Sequence, residues 1–470
     1  MFLVVFLVGL NIIKLWLARF IPLLGDEAYY NIWSRKPALS YVDHPPMVAW
    51  LHGKANWLFG QSEFGIRIMA IALILVATWL IYQIAKECYG KKTATYAAVI
   101  FNLIPTFLAG GLFLTPETPL MICWLIGLYA MVKIIKNHQP AYWYLFGLAV
   151  GFGFLSKYQI IFLPLAVGLF LIFSKENRHW LTKKEPYLAL IIALILASPV
   201  LIWNWQHGFP SLLHHGARLG SHDYLNNILT FLLLQFIMFS PPLFFFALTL
   251  LGFHFWRELR YEDKYSKLFV ACGLVPLAFF FFISPITLVG GHWTSTAYLG
   301  LIILLANRWQ GLAEIKPFRW RLYANAVTII LINVLFISYY AFLYPIPAEF
   351  KGQAYTINAQ LPTYIKEAKV RYVFSNQMGV ASLVAFYGKT EVYMPKGQWE
   401  QFDIWGQPEL KPGDNILYFV FDDQNKLAQL KPLFREVTVD GHKRLFTKDS
   451  DIPIKTQVLF CRGYRGGKLP

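Results

Sequence analysis

The sequence predicts an α-helical polytopic membrane protein that ends in a small α/β soluble domain. Three features predict it. Of 470 residues, 57% are hydrophobic and 14% charged, against roughly 25% charged in soluble domains. Apolar runs of roughly 20 residues, enough to cross a ~30 Å hydrocarbon core, recur along most of the chain. After Tyr344 these runs give way to short strand and helix signals.

In order, spans are expected near 3–24, 64–85, 94–113, 118–135, 141–156, 158–174, 187–205, 226–256, 267–288, 293–309 and 321–344, about eleven in all. The N-terminal run lacks a charged leader and a small-residue cleavage site, so it reads as a retained first helix. Several runs are short or carry proline, which a bundle tolerates where neighbours satisfy the freed backbone groups.

The net charge of +16 does not point to nucleic acid, because the basic residues sit in short clusters between spans. "KECYGKK", "KIIKNHQP", "SKENRHWLTKKEP", "WRELRYEDKYSK" and "NRWQGLAEIKPFRWR" all fall on one side. That side holds about 17 basic residues against about five opposite, before residue 345. The bias places the N-terminus in the cytoplasm and the C-terminus outside. Cys88, Cys123, Cys272 and Cys461 show no metal or disulfide spacing.

The opposite, outer face collects the titratable residues. Its loops carry Asp26, Glu27, Asp43, His44, Glu117, Lys157, His207, His214, His215 and His292. Titratable groups gathered at one membrane face point to a site there. Lys14 stands apart, inside the first span, and the pattern gives no account of it.

The first outer loop is long enough for two amphipathic juxtamembrane helices. In "DEAYYNIWSR", Asp26, Tyr29, Tyr30 and Trp33 share one helical face. "PPMVAWLHGKANWLFG" starts a second helix with prolines in its first turn, and its Met47, Trp50, Leu51, Trp57 and Leu58 suit the membrane interface. Taken alone, Asp26-Glu27 is a favourable helix N-terminus worth ~0.3–1 kcal/mol, and "VDHPP" is a turn. His214 and His215 are adjacent, so they read as loop residues.

Residues 1–345 form the expected transmembrane domain and 346–470 the extracytoplasmic α/β domain. In the latter, "VRYVFSN" and "NILYFVF" read as buried strands and "MGVASLVAFYG" as a helix capped by Gly388. "REVTVDGHKRLFTK" reads as a hairpin turning at Asp440-Gly441.

"GDEAYYNIW…YVDHPPMVAWL" resembles the first periplasmic loop of the GT-C superfamily of polyprenyl-phosphate-sugar-dependent glycosyltransferases. The branch is glycosyltransferase family 39 with its bacterial relatives, including protein O-mannosyltransferases and the lipid A aminoarabinose transferase. "LTPETPLMICWLIGLY", "GFGFLSKYQIIFLP", "SPVLIWNWQHGFPSL" and "GGHWTSTAYLGLIILLA" extend the resemblance over most of residues 20–310. The family usually carries Asp where Glu117 stands, which leaves the role of Glu117 less defined.

The resemblance implies a bacterial inner-membrane enzyme with its site and C-terminal domain on the periplasmic side. It would transfer a sugar from a polyprenyl (undecaprenyl) phosphate to a hydroxyl or phosphate of a lipid A, glycan or protein acceptor on the outer face of that membrane. Asp26 is then the general base toward the acceptor hydroxyl, a role suited to a tuned carboxylate. Glu117 and Lys157 complete the catalytic set. Lys157 is the candidate for meeting the charge that grows on the leaving phosphate; the competing reading is a lysine snorkelling at a helix end.

Glu27, Tyr29, Tyr30, Asp43, His44, His207 and His292 are the substrate-binding candidates. Tyr29, Tyr30 and Trp33 suit either sugar stacking or interfacial anchoring. No cofactor is required by the pattern, but a divalent cation would find candidate ligands in Asp43, Glu117 and His207. The prenyl tail would lie between spans, along runs such as "FFFALTLLGF" and "LAFFFFIS". The alternative function is a transporter or flippase of lipid-linked glycans, which would show two related halves and ionisable residues at midplane. A structural subunit with a sensor domain is a third, and it leaves the outer acids unexplained.

Overall fold

The computed structural model describes residues 1–18, 23–220, 223–241, 244–245, 263–313, 361–397, 400–421, 426–439 and 456–470. The chain divides into two compact units, one of Met1–Lys14, His44–Val48 and Arg67–Phe336, the other of Leu15–Asp43, Ala49–Ile66 and Ile337–Pro470.

The first unit is helical. Its elements begin with α1 (Phe2–Leu17). They continue, after α2 (Gly25–Trp33) and α3 (Met47–Phe59) of the first loop, with α4 (Glu63–Tyr89), α5 (Lys91–Leu103), α6 (Pro105–Gly110), α7 (Glu117–Asn137) and α8 (Ala141–Ser156). Next come α9 (Phe162–Phe173), α10 (Glu185–Gln206), α11 (Pro210–Ala217), α12 (Tyr224–Phe239), α13 (Ser266–Ile283) and α14 (Ser295–Ala313). Among the described residues, Glu63–Tyr89, Glu117–Asn137, Glu185–Gln206 and Ser266–Ile286 are both long and apolar enough to cross a membrane. Shorter apolar helices accompany them. The expected span 321–344 and much of 226–256 lie outside the described residues.

One expected span is broken. The run 94–113 divides into α5 and α6 at Ile104, whose ψ of 127° is extended. Pro105 follows it, and a residue before proline is pushed out of the helical region. Similarly, 158–174 opens as a 3-10 turn, Tyr158–Ile161, before α9.

Helix α8 packs between α7 and α10. Its Gly147 and Gly151, four apart, face Ala189 and Ala193 of α10, the small-residue pattern that lets membrane helices touch closely. A Cβ on Gly147 would meet the Ala189 carbonyl oxygen at 2.4 Å, and one on Gly151 the Leu196 Cβ at 2.7 Å. The core around them includes Trp124, Trp143, Phe101 and Phe269, all buried.

The second unit contains a five-stranded sheet in the order β2-β1-β3-β5-β4. The strands are β1 (Tyr372–Ser375), β2 (Val392–Tyr393), β3 (Ile416–Phe421), β4 (Phe434–Val439) and β5 (Thr456–Tyr464). β1 pairs in parallel with β2 and β3, while β5 runs antiparallel to β3 and β4. Phe374, Tyr418, Leu459 and Cys461 are buried in its core. The partner of β4 is β5, with Glu436 opposite Arg462; the expected turn at Asp440-Gly441 lies outside the described residues. Helix α15 (Met378–Tyr387), which ends at Gly388, packs against α2.

Contacts within this unit fix the first loop to its C-terminal part. The Leu23 N–H donates to the Tyr387 hydroxyl at 3.1 Å, and Tyr387 in turn bonds the Glu63 carboxylate. Arg35 donates to the Ala385 carbonyl at 3.3 Å.

Candidate functional site

In the first unit, the site starts at the beginning of α7. The chain enters through Thr115-Pro116, and Glu117 occupies the first turn, where the helix dipole favours a carboxylate. Glu117 is in ion-pair contact with Lys157. Lys157 sits where α8 stops: its φ of −162° and ψ of 141° are extended, which ends α8 and lets the 3-10 turn begin. Its side chain is 7% exposed. A snorkelling lysine would place its head in water, so the buried, paired ammonium excludes that reading.

His292 completes this cluster, with Nε2 3.3 Å from Glu117 Oε1. It rides on the 3-10 turn Gly291–Thr294, held by Gln235 of α12. The Gln235 amide donates to the Gly291 carbonyl at 3.4 Å, while its oxygen accepts from Thr294 Oγ1 at 2.5 Å and from the Tyr298 hydroxyl. Gln235 is buried and was not among the expected site residues. A glutamine inside "FLLLQFIMF" is the signal that would have found it, since polar groups inside apolar spans are costly and retained for a reason.

His44 is half-buried and its ring centroid lies 6.4 Å from that of His215. Burial drives the His44 pKa well below its ordinary value, and the Lys157 charge pushes the same way while Glu117 opposes. The imidazole is therefore neutral at pH 7. Crowding lowers the His292 pKa too, again against Glu117 and with Lys157; half of that ring is open, which tempers the effect.

His214 and His215 lie on helix α11 rather than in a loop. Phe209-Pro210 starts this helix, with proline at a position that needs no N–H. His215 meets the Tyr158 ring edge-on at 6.0 Å, and Tyr158 donates to Ser211 Oγ at 3.0 Å. Arg218 Nη2 donates to His214 Nε2 at 2.9 Å. The Thr287 hydroxyl donates to the Arg218 carbonyl at 2.9 Å, tying this segment to the chain that leads into His292. His207 is exposed, stacked on Trp203 at 4.5 Å, with Nδ1 2.8 Å from the Trp203 carbonyl. It turns back onto its own helix.

In the second unit, Asp26 stands exposed on the first turn of α2. Glu27 beside it is buried and accepts the Leu24 N–H at 3.2 Å. It is a capping residue, not an open substrate contact. Tyr29, Tyr30 and Trp33 are also buried, at 1%, 7% and 0% exposure. Tyr29 stacks on Phe402 at 5.9 Å, and Trp33 on Tyr41 at 4.2 Å. They are neither open stacking platforms nor interfacial anchors, because C-terminal residues cover this face.

Asp43 accepts the Tyr29 hydroxyl at 2.8 Å, and that hydroxyl accepts the Gln401 N–H at 3.0 Å. The Gln401 side chain accepts the Val42 N–H at 2.9 Å. Burial, reinforced by Asp43, raises the Tyr29 pKa well above its usual value, so the hydroxyl keeps its proton and donates it. Among the described residues, no three His, Cys, Asp or Glu side chains converge as metal ligands. The expected trio of Asp43, Glu117 and His207 is therefore not assembled.

Comparisons with known proteins agree with this architecture. Residues 43–203 match the family described as dolichyl-phosphate-mannose-protein mannosyltransferase. The chain is 25% identical over 286 residues to a lipid A galacturonosyltransferase of Rhizobium johnstonii, covering 59% of each. It is 25% identical over 266 residues to the undecaprenyl phosphate-4-amino-4-deoxy-L-arabinose arabinosyl transferase of Erwinia tasmaniensis, covering 52% of this chain and 45% of that protein. The chain thus spans about half the length of these relatives.

Its fold superposes on ArnT of Cupriavidus metallidurans with a TM-score of 0.67 at 16% identity, over 97% of both chains. A second structure of that protein, bound to undecaprenyl phosphate, superposes with a TM-score of 0.66.

The architecture is that of a helical membrane protein of the GT-C fold with a small C-terminal sheet. The matched family model and the sequence relatives are sugar transferases by name, and this chain is similar to them.

Proposed function

We propose that this protein is an integral-membrane glycosyltransferase that moves a sugar from a polyprenyl phosphate to an acceptor hydroxyl on lipid A or another envelope glycan. The chain would cross the bacterial inner membrane about eleven times, with the N-terminus cytoplasmic and the site and C-terminal domain (346–470) periplasmic. The basic-residue bias of the loops supports that orientation. The undecaprenyl phosphate carried by the structural relative and the lipid A named for the Rhizobium relative support the substrate classes.

The observation that carries the reading is the buried Lys157 held by Glu117 beside His292. A glycosyl phosphate needs its leaving oxygen stabilised as the C–O bond breaks, and preorganised donors in a water-poor site do this best. Lys157 supplies the charge. Glu117 holds the ammonium in place until the phosphate competes for it. His44 and His292, both held toward neutrality, supply N–H donors without adding charge.

Asp26 is the base. As the acceptor oxygen bonds to the anomeric carbon, its proton passes to the Asp26 carboxylate. The electron pair of the broken C–O bond leaves with the phosphate, giving polyprenyl phosphate. The exposed placement of Asp26 at a helix start suits a group that must reach an incoming acceptor. Asp43 is held by Tyr29 and positions His44, its neighbour in the chain.

Mass spectrometry of envelope lipids and glycans from cells with and without this protein tests the reading. One envelope species should lose a sugar mass when the protein is absent. Loss of that sugar with the lipid-linked donor trapped on the cytoplasmic side would indicate a flippase instead, and identical envelopes would overturn both readings.

A further inference from the structure

Lys14 of α1 takes no part in the chemistry above. It is 2% exposed within "FLVVFLVGLNIIKLWL", and its ammonium has no hydrogen-bond partner among the described residues. At that exposure the head does not reach water, so it is not snorkelling. It lies against the turn that ends α6: a Cβ placed on Gly111 would fall 2.5 Å from Lys14 Nζ, with Ile74 Cγ2 3.2 Å away.

The same loop holds a second buried cation. Arg67, at 0% exposure, donates from Nη1 to the Leu112 carbonyl at 2.8 Å and lies 4.6 Å from the Phe113 ring centroid. One turn before Lys14, the Asn11 amide donates to the Leu7 carbonyl at 2.7 Å, and its Oδ1 has no partner among the described residues. An ammonium removed from water is costly unless an anion meets it. The Lys14 ammonium, in surroundings as apolar as α1, calls for an anion that arrives with an apolar body.

We propose that Lys14 binds the phosphate of a lipid-borne phosphate, and that Gly111 lacks a side chain so that the ammonium fits against it. This position is distinct from Lys157, whose charge Glu117 already meets. Naming the lipid as a polyprenyl phosphate rests on the glycosyltransferase reading; the demand for an anion does not.

The test is binding of undecaprenyl phosphate, undecaprenol and inorganic phosphate to the full-length detergent-solubilised protein, read by native mass spectrometry. Lys14→Met should weaken undecaprenyl phosphate about tenfold or more, the loss expected for one charge-assisted hydrogen bond. Undecaprenol should bind both forms alike. Gly111→Ala should give a similar loss by crowding Nζ, and it serves as the second variant if Lys14→Met does not fold. Unchanged undecaprenyl phosphate binding in both variants overturns the assignment of Lys14 and leaves the proposed function standing. Inorganic phosphate binding as tightly as the lipid, and lost in Lys14→Met, would overturn the lipid as the source of the anion. Wild-type protein that ignores undecaprenyl phosphate would overturn the proposed function and the lipid assignment together.

Discussion

Removing the Lys157 ammonium should expose how much the site depends on its ion pair. Lys157→Met leaves the Glu117 carboxylate facing His292 and an apolar side chain. A unit pair in contact at an effective dielectric near 20 is worth about 4 kcal/mol, and breaking a buried pair from one side costs about 3–5 kcal/mol. Glu117 keeps 17% of its side-chain surface open, so water answers part of the stranded charge and about 2–3 kcal/mol is expected. Glu117→Gln should cost a similar amount by stranding the ammonium. The double variant Glu117→Gln/Lys157→Met strands nothing and should recover about 2 kcal/mol relative to the sum of the singles. The assay is denaturant unfolding in detergent micelles, followed by tryptophan fluorescence. Losses that add within about 0.5 kcal/mol would refute the coupling, and with it the view that Glu117 holds Lys157 in place.

Two further outcomes are expected. Tyr29→Phe removes the hydroxyl that serves both Asp43 and the Gln401 N–H; stranding these buried groups should cost about 1–3 kcal/mol in the same unfolding assay. His44 has a lowered pKa in the folded protein, so below its unfolded value of about 6.5 the unfolded chain binds the extra proton. Its contribution to stability is complete above that pH and is lost as pH falls toward the folded value. His44→Gln should flatten that part of the stability-against-pH curve, read as thermal midpoints between pH 8 and 5.

Much of the architecture was legible because membrane helices declare themselves by length and hydropathy. The apolar runs at 118–135 and 187–205 sit inside α7 and α10. The pairing of Glu117 with Lys157 was not legible: their separation of 40 residues carries no periodic signal, and only packing of α7 against α8 brings the two helix ends together. The burial of Tyr29, Tyr30 and Trp33 was missed for a similar reason. What covers them lies at Gln401 and Phe402, 372 residues from Tyr29 to Gln401, and amphipathic spacing cannot say whether a face meets lipid or protein. The helix carrying His214 and His215 was read as a loop because two adjacent histidines give no helical period.

In the proposed reaction, Asp26 takes the proton of the acceptor and Lys157 meets the charge of the leaving phosphate. The most direct test is a reconstituted transfer assay with an undecaprenyl phosphate donor labelled in the sugar, the acceptor fraction identified by the envelope comparison, and the wild-type and Asp26→Asn proteins side by side. The account predicts labelled acceptor and free undecaprenyl phosphate from the wild type, and from Asp26→Asn a folded protein that still binds the donor but transfers nothing. Transfer by Asp26→Asn at the wild-type rate would contradict it.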